Sequence, residues 1–292
     1  MSPEQVRERE ARWALPAALA AFLAVVLILL QGFVSSVSGS GEADALRSVD
    51  AHPGNVTLTS LMPALAFLLF TVPLVYLFRA ARARSPRVRQ AMIVLLIAAP
   101  LLVAAGTVLY GQARIEAAEH FVAGESKPSI SAKEVKEKCE GEKPLAACEK
   151  EKREDDAATH AISDASLTPA ATIVSLGGGL LFAIGLFYTC LWAMRTGLLS
   201  RFWGSLGMAL GIAILIGFVI FAIVWFGYLG LLFLGFLPGS RPAAWEAGEA
   251  VPWETPGERA AAELEPAEGT EAPDADDAPE EPGERRKRKQ RE

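Results

Sequence analysis

Apolar residues in this 292-residue chain come in runs of about twenty or more, separated by charged stretches, and this segregation restricts the fold more than any other feature. A chain folding in water interleaves the two kinds of residue at helix or strand period, giving each element one face for the core and one for solvent. Runs this long have no polar face. They suit a bilayer, because about 20 residues rising about 1.5 Å each cross a hydrocarbon layer roughly 30 Å thick. The expected fold is all-α, a polytopic membrane helix bundle.

The first run covers residues 13–34. Ser2-Pro3-Glu4-Gln5 before it reads as a helix start, with Ser2 as cap, Pro3 in the first turn and Gln5 reaching back. Small residues around Ser36 and Ser38 would permit signal cleavage. The run exceeds the roughly 7–15 residues of a signal-peptide core, however, so a retained anchor is expected. Further spans are expected at 58–78, 91–111 and 169–194. Their internal Pro63, Pro73 and Pro100 are tolerated in a membrane, where neighbouring helices satisfy the freed backbone groups. The run 203–237 would be about 52 Å long as one helix, too long for one crossing. Two spans near 203–218 and 221–237, turning around Gly217, bring the expected total to six, with five as the alternative.

Arginine distribution sets the orientation. Arg7, Arg9 and Arg12 precede span one; Arg79, Arg82, Arg84, Arg87 and Arg89 follow span two; Arg195 and Arg201 follow span four. The connection between spans one and two holds only Arg47. This alternation makes residues 1–12 a cytoplasmic arm and 13–110 spans one to three. Residues 111–168 become an extracytoplasmic charged loop, 169–238 spans four to six, and 239–292 a cytoplasmic tail. The lysines of the long loop lie mostly too far from a span to count, and acids outnumber them. The chain's net charge of −6 comes chiefly from this loop and the tail, so it describes solvated segments and not a binding surface.

Cys139 and Cys148 then face an oxidising compartment, where disulfides persist. "SAKE" (131–134) is a capping box and "GEKP" (141–144) a turn with proline opening a second helix. A helical hairpin stapled across its bend is expected, the bond supporting a segment too polar for a core of its own. Zinc sites use closer pairs plus two more ligands, and redox motifs usually space their cysteines C-x-x-C. Cys190, inside span four, reads as a packing residue.

Catalytic, cofactor and metal residues are all expected to be absent. His52, His120 and His160 are lone loop histidines beside acids, Glu116 and His120 together giving only two potential ligands. No phosphate-cradling glycine motif occurs. The expected spans contain no Asp, Glu, Lys, Arg or His, which disfavours ion-coupled transport.

Small residues recur at helical spacing. Ser175, Gly179 and Ala183 on span four, and Gly207 and Gly211 on span five, let backbones approach, so these spans are expected to pack on each other or on a second copy. "LGGGLLF" (176–182) reads as a close contact or a helix break at a cavity. In the tail, Trp245 and Trp253 suggest an ordered stretch returning to the membrane interface. From about residue 258 the acidic, Pro- and Ala-rich chain is expected to be disordered. The terminal "RRKRKQRE" suits anionic lipid or its own acidic neighbour better than nucleic acid.

Two stretches, "AMRTGLLSRFWGSLGMALG" (193–211) and "LPGSRPAAWEAGEAVPWETPGE" (237–258), resemble a family of uncharacterised bacterial multi-spanning membrane proteins. Its members share an Arg-containing connection before a glycine-rich span and a Pro-Ala-Trp-Glu tail motif. The likeness covers the second half of the chain, and the first half by topology alone. It implies a bacterial inner membrane and six spans, and carries no activity onto any residue. The expected function is a non-enzymatic, envelope-associated interaction role whose partners are the bilayer, a second copy or another membrane protein. A facilitator for a neutral or apolar solute is the alternative, and a thiol–disulfide protein a lesser one.

Overall fold

The computed structural model describes residues 2–35, 41–140, 144–216, 220–237 and 241–253. The described residues are helical, without strands: α1 (Pro3–Ser35), α2 (Glu42–Ala51), α3 (Pro53–Arg84), α4 (Met92–Val122), α5 (Ala132–Lys138), α6 (Leu145–Asp164), α7 (Thr168–Arg195), α8 (Arg201–Leu215), α9 (Ile220–Leu234) and α10 (Ala243–Ala247). They belong to a unit spanning Met1–Trp253. The expectation of disorder beyond about 258 falls outside the described residues.

Four helices, α1, α3, α4 and α7, are long and apolar enough to cross a membrane. α1, α3 and α4 are each continuous with a charged extension that the apolar run alone does not delimit, whereas α7 exceeds its run by one residue at each end. α1 starts ten residues before the apolar run, and the Ser2–Gln5 box closes its first turn, Gln5 N–H donating to Ser2 Oγ (3.4 Å) and Ser2 N–H to Gln5 Oε1 (3.1 Å). α3 and α4 run on through Pro63, Pro73 and Pro100. The run 203–237 is two helices of 15 residues each, α8 and α9. At about 22 Å apiece they are shorter than a hydrocarbon layer, so of the six expected spans four have helices of spanning length and two fall on short helices. The turn expected at Gly217 lies outside the described residues.

The most extensive helix packing joins α4 to α7, and glycine explains it. A Cβ on Gly178 would stand 2.8 Å from the Val103 backbone nitrogen, and one on Gly106 2.2 Å from Ser175 Oγ. With lipid outside, association of helices relies on such close van der Waals approach more than on water exclusion. α8 packs on another side of α7: Gly204 against Met194, Gly207 against Cys190, and Gly211 against the Ala183 backbone. Gly179 meets Leu215. Ser175 lies against Gly106 of α4, so the stripe 175–179–183 is shared between two partners. The triple glycine lies within continuous helix; Gly178 and Gly179 serve close contact, while Gly177 faces open space.

The interior is filled by aromatic groups. Phe70, Phe78, Phe182, Trp225 and Phe226 are fully buried. Phe70 stacks on Phe226 with centroids 3.6 Å apart, and Trp203 on Tyr228 at 3.7 Å. Large apolar side chains also cover the outside, Leu19, Leu23, Ile173, Leu180 and Ile212 each being more than half exposed. An apolar belt of this kind needs a non-aqueous neighbour.

At the end away from the N-terminal arm, the connections form a helical cap. α2 is amphipathic, burying Ala43, Leu46 and Val49. These meet Ala113 and Ala117 on the extension of α4, and Ala158 and Ala161 on α6. The sequence reading held this region too polar for a core. Alanine corrects it: methyl groups on facing helices allow close approach, so a small core forms with few large apolar side chains. Polar groups seal its edge, Asp155 Oδ1 accepting from Ala43 N–H (3.1 Å) and Arg47 pairing with Glu154 (2.6 Å).

Candidate functional site

Tryptophan and arginine build the most elaborate polar arrangement, at the arm end. Arg84 ends α3 with a wholly buried side chain. Its Nε and Nη2 donate to the Ala244 carbonyl (3.1 and 2.8 Å), its Nη1 donates to Ala80 O (3.0 Å), and it grips both carboxylate oxygens of Glu10 on α1. One guanidinium thus ties α1, α3 and the tail. Trp245 lies beside it, with the guanidinium carbons of Arg84 and Arg241 at 5.5 and 4.5 Å from its ring, and Tyr76 stacked at 5.8 Å. Tyr76 in turn donates its hydroxyl to Glu10 O (3.2 Å).

The tail docks on the turn between α7 and α8. Trp245 Nε1–H donates to Leu198 O (2.9 Å), Trp253 Nε1–H to Leu199 O (2.8 Å), and Val251 N–H to Thr196 O (3.2 Å). Arg201 donates to Trp253 O (3.3 Å). Gly197 at φ 77° makes this possible, since a Cβ there would stand 1.9 Å from Val251 O. The described parts of residues 193–211 and 237–258 are therefore the two halves of one latch.

Two residues lie elsewhere than the sequence leads one to expect. Arg84 belongs to the arginines expected to mark the cytoplasmic side, but it is buried in a protein site because Glu10 and Ala244 reach it. Trp245 was expected at the membrane interface, but it is 3% exposed because the α7–α8 turn supplies its hydrogen-bond acceptor. Arg82 closes the following connection by donating to Val88 O (2.9 Å). Arg79, Arg87, Arg89 and Arg195 are exposed, Arg195 with its guanidinium carbon 5.4 Å from the Trp192 ring.

In the cap, Cys139 and Cys148 meet at disulfide distance, their Cα atoms 5.9 Å apart, one ending α5 and the other in the first turn of α6. Ser131 caps α5 by accepting from Glu134 N–H (3.2 Å). Residues 141–143 of the expected turn lie outside the described residues. Both cysteines are buried, which shields the pair from thiolate attack. Substituting Cys139 by serine is expected to destabilise the hairpin by about 2–3 kcal/mol. Limited proteolysis across 125–150 checks this: faster cleavage there with an unchanged bundle is the expected result, and equal rates count against a staple.

Asp156 on α6 ties down the strap before α5, accepting from Ser129 N–H (2.6 Å) and Ile130 N–H (3.0 Å). The Ile130 amide first, then that of Ser129, holds this carboxyl below its ordinary 3.8. A depressed folded pKa makes the tether fully effective above 3.8, and it weakens as pH falls through the lowered value. Amide exchange at Ser129 and Ile130, scaled to intrinsic rates, should lose protection in that acidic window. In Asp156→Asn protection should no longer vary with pH there; a pH dependence that survives the substitution assigns the effect elsewhere.

His120 pairs with Glu125 (2.6 Å), while Glu116 accepts from the Ser166 backbone N–H (3.0 Å) and hydroxyl (2.9 Å). The two potential ligands are thus separately engaged. Among the described residues no cluster of three or more metal-ligating side chains occurs. A polar cleft of about 730 Å³ opens between the cap and the helices, lined by His52, Asn55, Thr59, Ser60, Thr107 and Arg114 among others. The sequence reading missed it, because its hydroxyls are spread over two helices.

No family model, no curated protein and no solved structure matches this chain.

Proposed function

We propose that the protein is a multi-pass protein of the bacterial inner membrane, serving as a sealed platform that joins an outer cap to a cytoplasmic tail, both available for interaction. The interior of the bundle carries the reading. The buried polar residues among those described are Ser60, Arg84, Thr189 and Thr196. Thr189 and Thr196 spend their hydroxyls on their own helix, bonding Gly185 O and Trp192 O (2.8 Å each). Stacked aromatics and glycine contacts fill the rest, so among the described residues no hydrophilic lining continues inward from the polar cleft. The four long helices would cross fully, with α8 and α9 as a short fifth and sixth pair needing local thinning of the bilayer. Arginine-rich arm and connection, at one end with residues 241–253, support cytoplasmic termini.

Facilitated passage of a neutral solute is the second reading, favoured by the polar cleft, which would be its vestibule. Purified protein in proteoliposomes separates the two. Flux of small neutral solutes no faster than in protein-free vesicles, with cross-links from cap or tail to defined neighbours in native membranes, is expected. Faster flux overturns the platform. Orientation is checked by thiol labelling in intact cells: a cysteine placed at Ser129 should react with an impermeant reagent and one at Arg9 should not, and the reverse pattern inverts the topology.

A further inference from the structure

A groove of about 350 Å³ runs between α1, α3 and α4 at the arm end. Its walls are apolar, with Val6 and Ala17 from α1, Val72 and Val75 from α3, and Ile97 from α4. Its mouth is basic. Arg9 and Arg79 line it, both exposed, and neither has a hydrogen bond or ion pair with any described residue. Glu10 also lines the groove, but its carboxylate is held by Arg84. The groove therefore presents two uncompensated positive charges above an oily slot, with Trp13 at its rim, 54% exposed.

We propose that this groove binds one anionic phospholipid, its phosphate headgroup between Arg9 and Arg79 and an acyl chain along Val72, Val75 and Ile97. Charge complementarity selects this occupant over a zwitterionic lipid, whose headgroup carries its own cation. A soluble anion would satisfy the arginines but leave the slot unfilled. Guanidinium groups suit phosphate because they donate in a fixed planar fork. Tryptophan at the rim suits the headgroup level, where its amphipathic ring is favoured. The binding proposal rests on the membrane reading, and on neither the orientation nor the absence of transport.

Native mass spectrometry of detergent-purified, delipidated protein tests it, with phosphatidylglycerol and phosphatidylcholine added in competition. One bound lipid is expected, with phosphatidylglycerol preferred about ten- to thirty-fold, from about 1 kcal/mol for each of two basic residues. Arg9→Gln with Arg79→Gln should abolish the preference, and Arg9→Lys with Arg79→Lys should keep most of it. Arg7→Gln with Arg12→Gln, which removes equal charge from arm positions outside the groove, should leave it unchanged. Equal loss in that control means diffuse attraction and overturns the site. Equal binding of the two lipids by the unmodified protein overturns it as well, as does displacement of the lipid by excess inorganic phosphate. Narrowing the slot by Val75→Trp leaves both arginines in place and should still lower occupancy; unchanged occupancy removes the acyl-chain part of the proposal. A protein that stays in aqueous solution without detergent fails the membrane reading itself, and so is told apart from a failure of the lipid site.

Discussion

Replacing Arg84 by methionine should cost the arm end about 3 kcal/mol and release residues 241–253, with most of the loss recovered when Glu10→Gln is added to the same chain. Removing one member of a buried ion pair leaves the other charge desolvated, which is worth about 3–5 kcal/mol; replacing both is often near neutral. Glu10 retains 11% exposure, which places the cost at the lower end of that range. Arg84 also carries two hydrogen bonds to Ala244 O, and the double variant does not restore these. Thermal unfolding and protease cleavage near Trp245 read the two parts separately. Equal destabilisation in the single and double variants would show that the tail contact, and not the stranded Glu10 charge, dominates.

Gly197→Ala should free the tail at least as fully, by a steric route. Its φ of 77° is costly for any residue with a Cβ, by about 1–2 kcal/mol. The added methyl would also lie 1.9 Å from Val251 O, a backbone atom that cannot swing away. Either the α7–α8 turn changes conformation or the segment from 249 to 253 lifts, and the bonds from Val251 to Thr196 and Trp253 to Leu199 are lost. The combined penalty is about 2–4 kcal/mol. Gly177→Ala is the matched control, because nothing lies within 4 Å of its added Cβ and alanine favours helix by about 1 kcal/mol. Equal protease resistance of the tail in both variants would contradict the latch geometry.

Both experiments bear on how the arm, the α3 end and the tail are coupled. Arg84 reads the carboxylate of α1 and a carbonyl of the tail with one planar group. Tyr76 lines the basic groove and stacks on Trp245, so groove and latch share a wall.

Much of the scaffold was legible in the chain. Apolar runs of adequate length form helices in a bilayer whatever their neighbours, because unsatisfied backbone groups are too costly there. The caps at Ser2 and Ser131, the division of 203–237 and the approach of Cys139 to Cys148 follow equally local rules. Glycine spacing located the contact of α7 with α8. It could not say that Ser175, one position in the same stripe, would turn to α4. Helix α2 had a readable signal in the spacing of Ala43, Leu46 and Val49, hidden because the charged residues between them dominate the composition.

The sequence by itself determined which segments are apolar enough to leave water, that they are helical, and where positive charge collects, since each depends on a residue and its near neighbours. Tertiary structure alone decided that one arginine of five is buried, that Trp245 faces protein and not lipid, and that scattered alanines make a core. Those outcomes depend on partners distant in the chain. Arg84 and Arg79 have the same side chain on the same helix, and only the elements that pack against each make one a structural lock and the other an open charge.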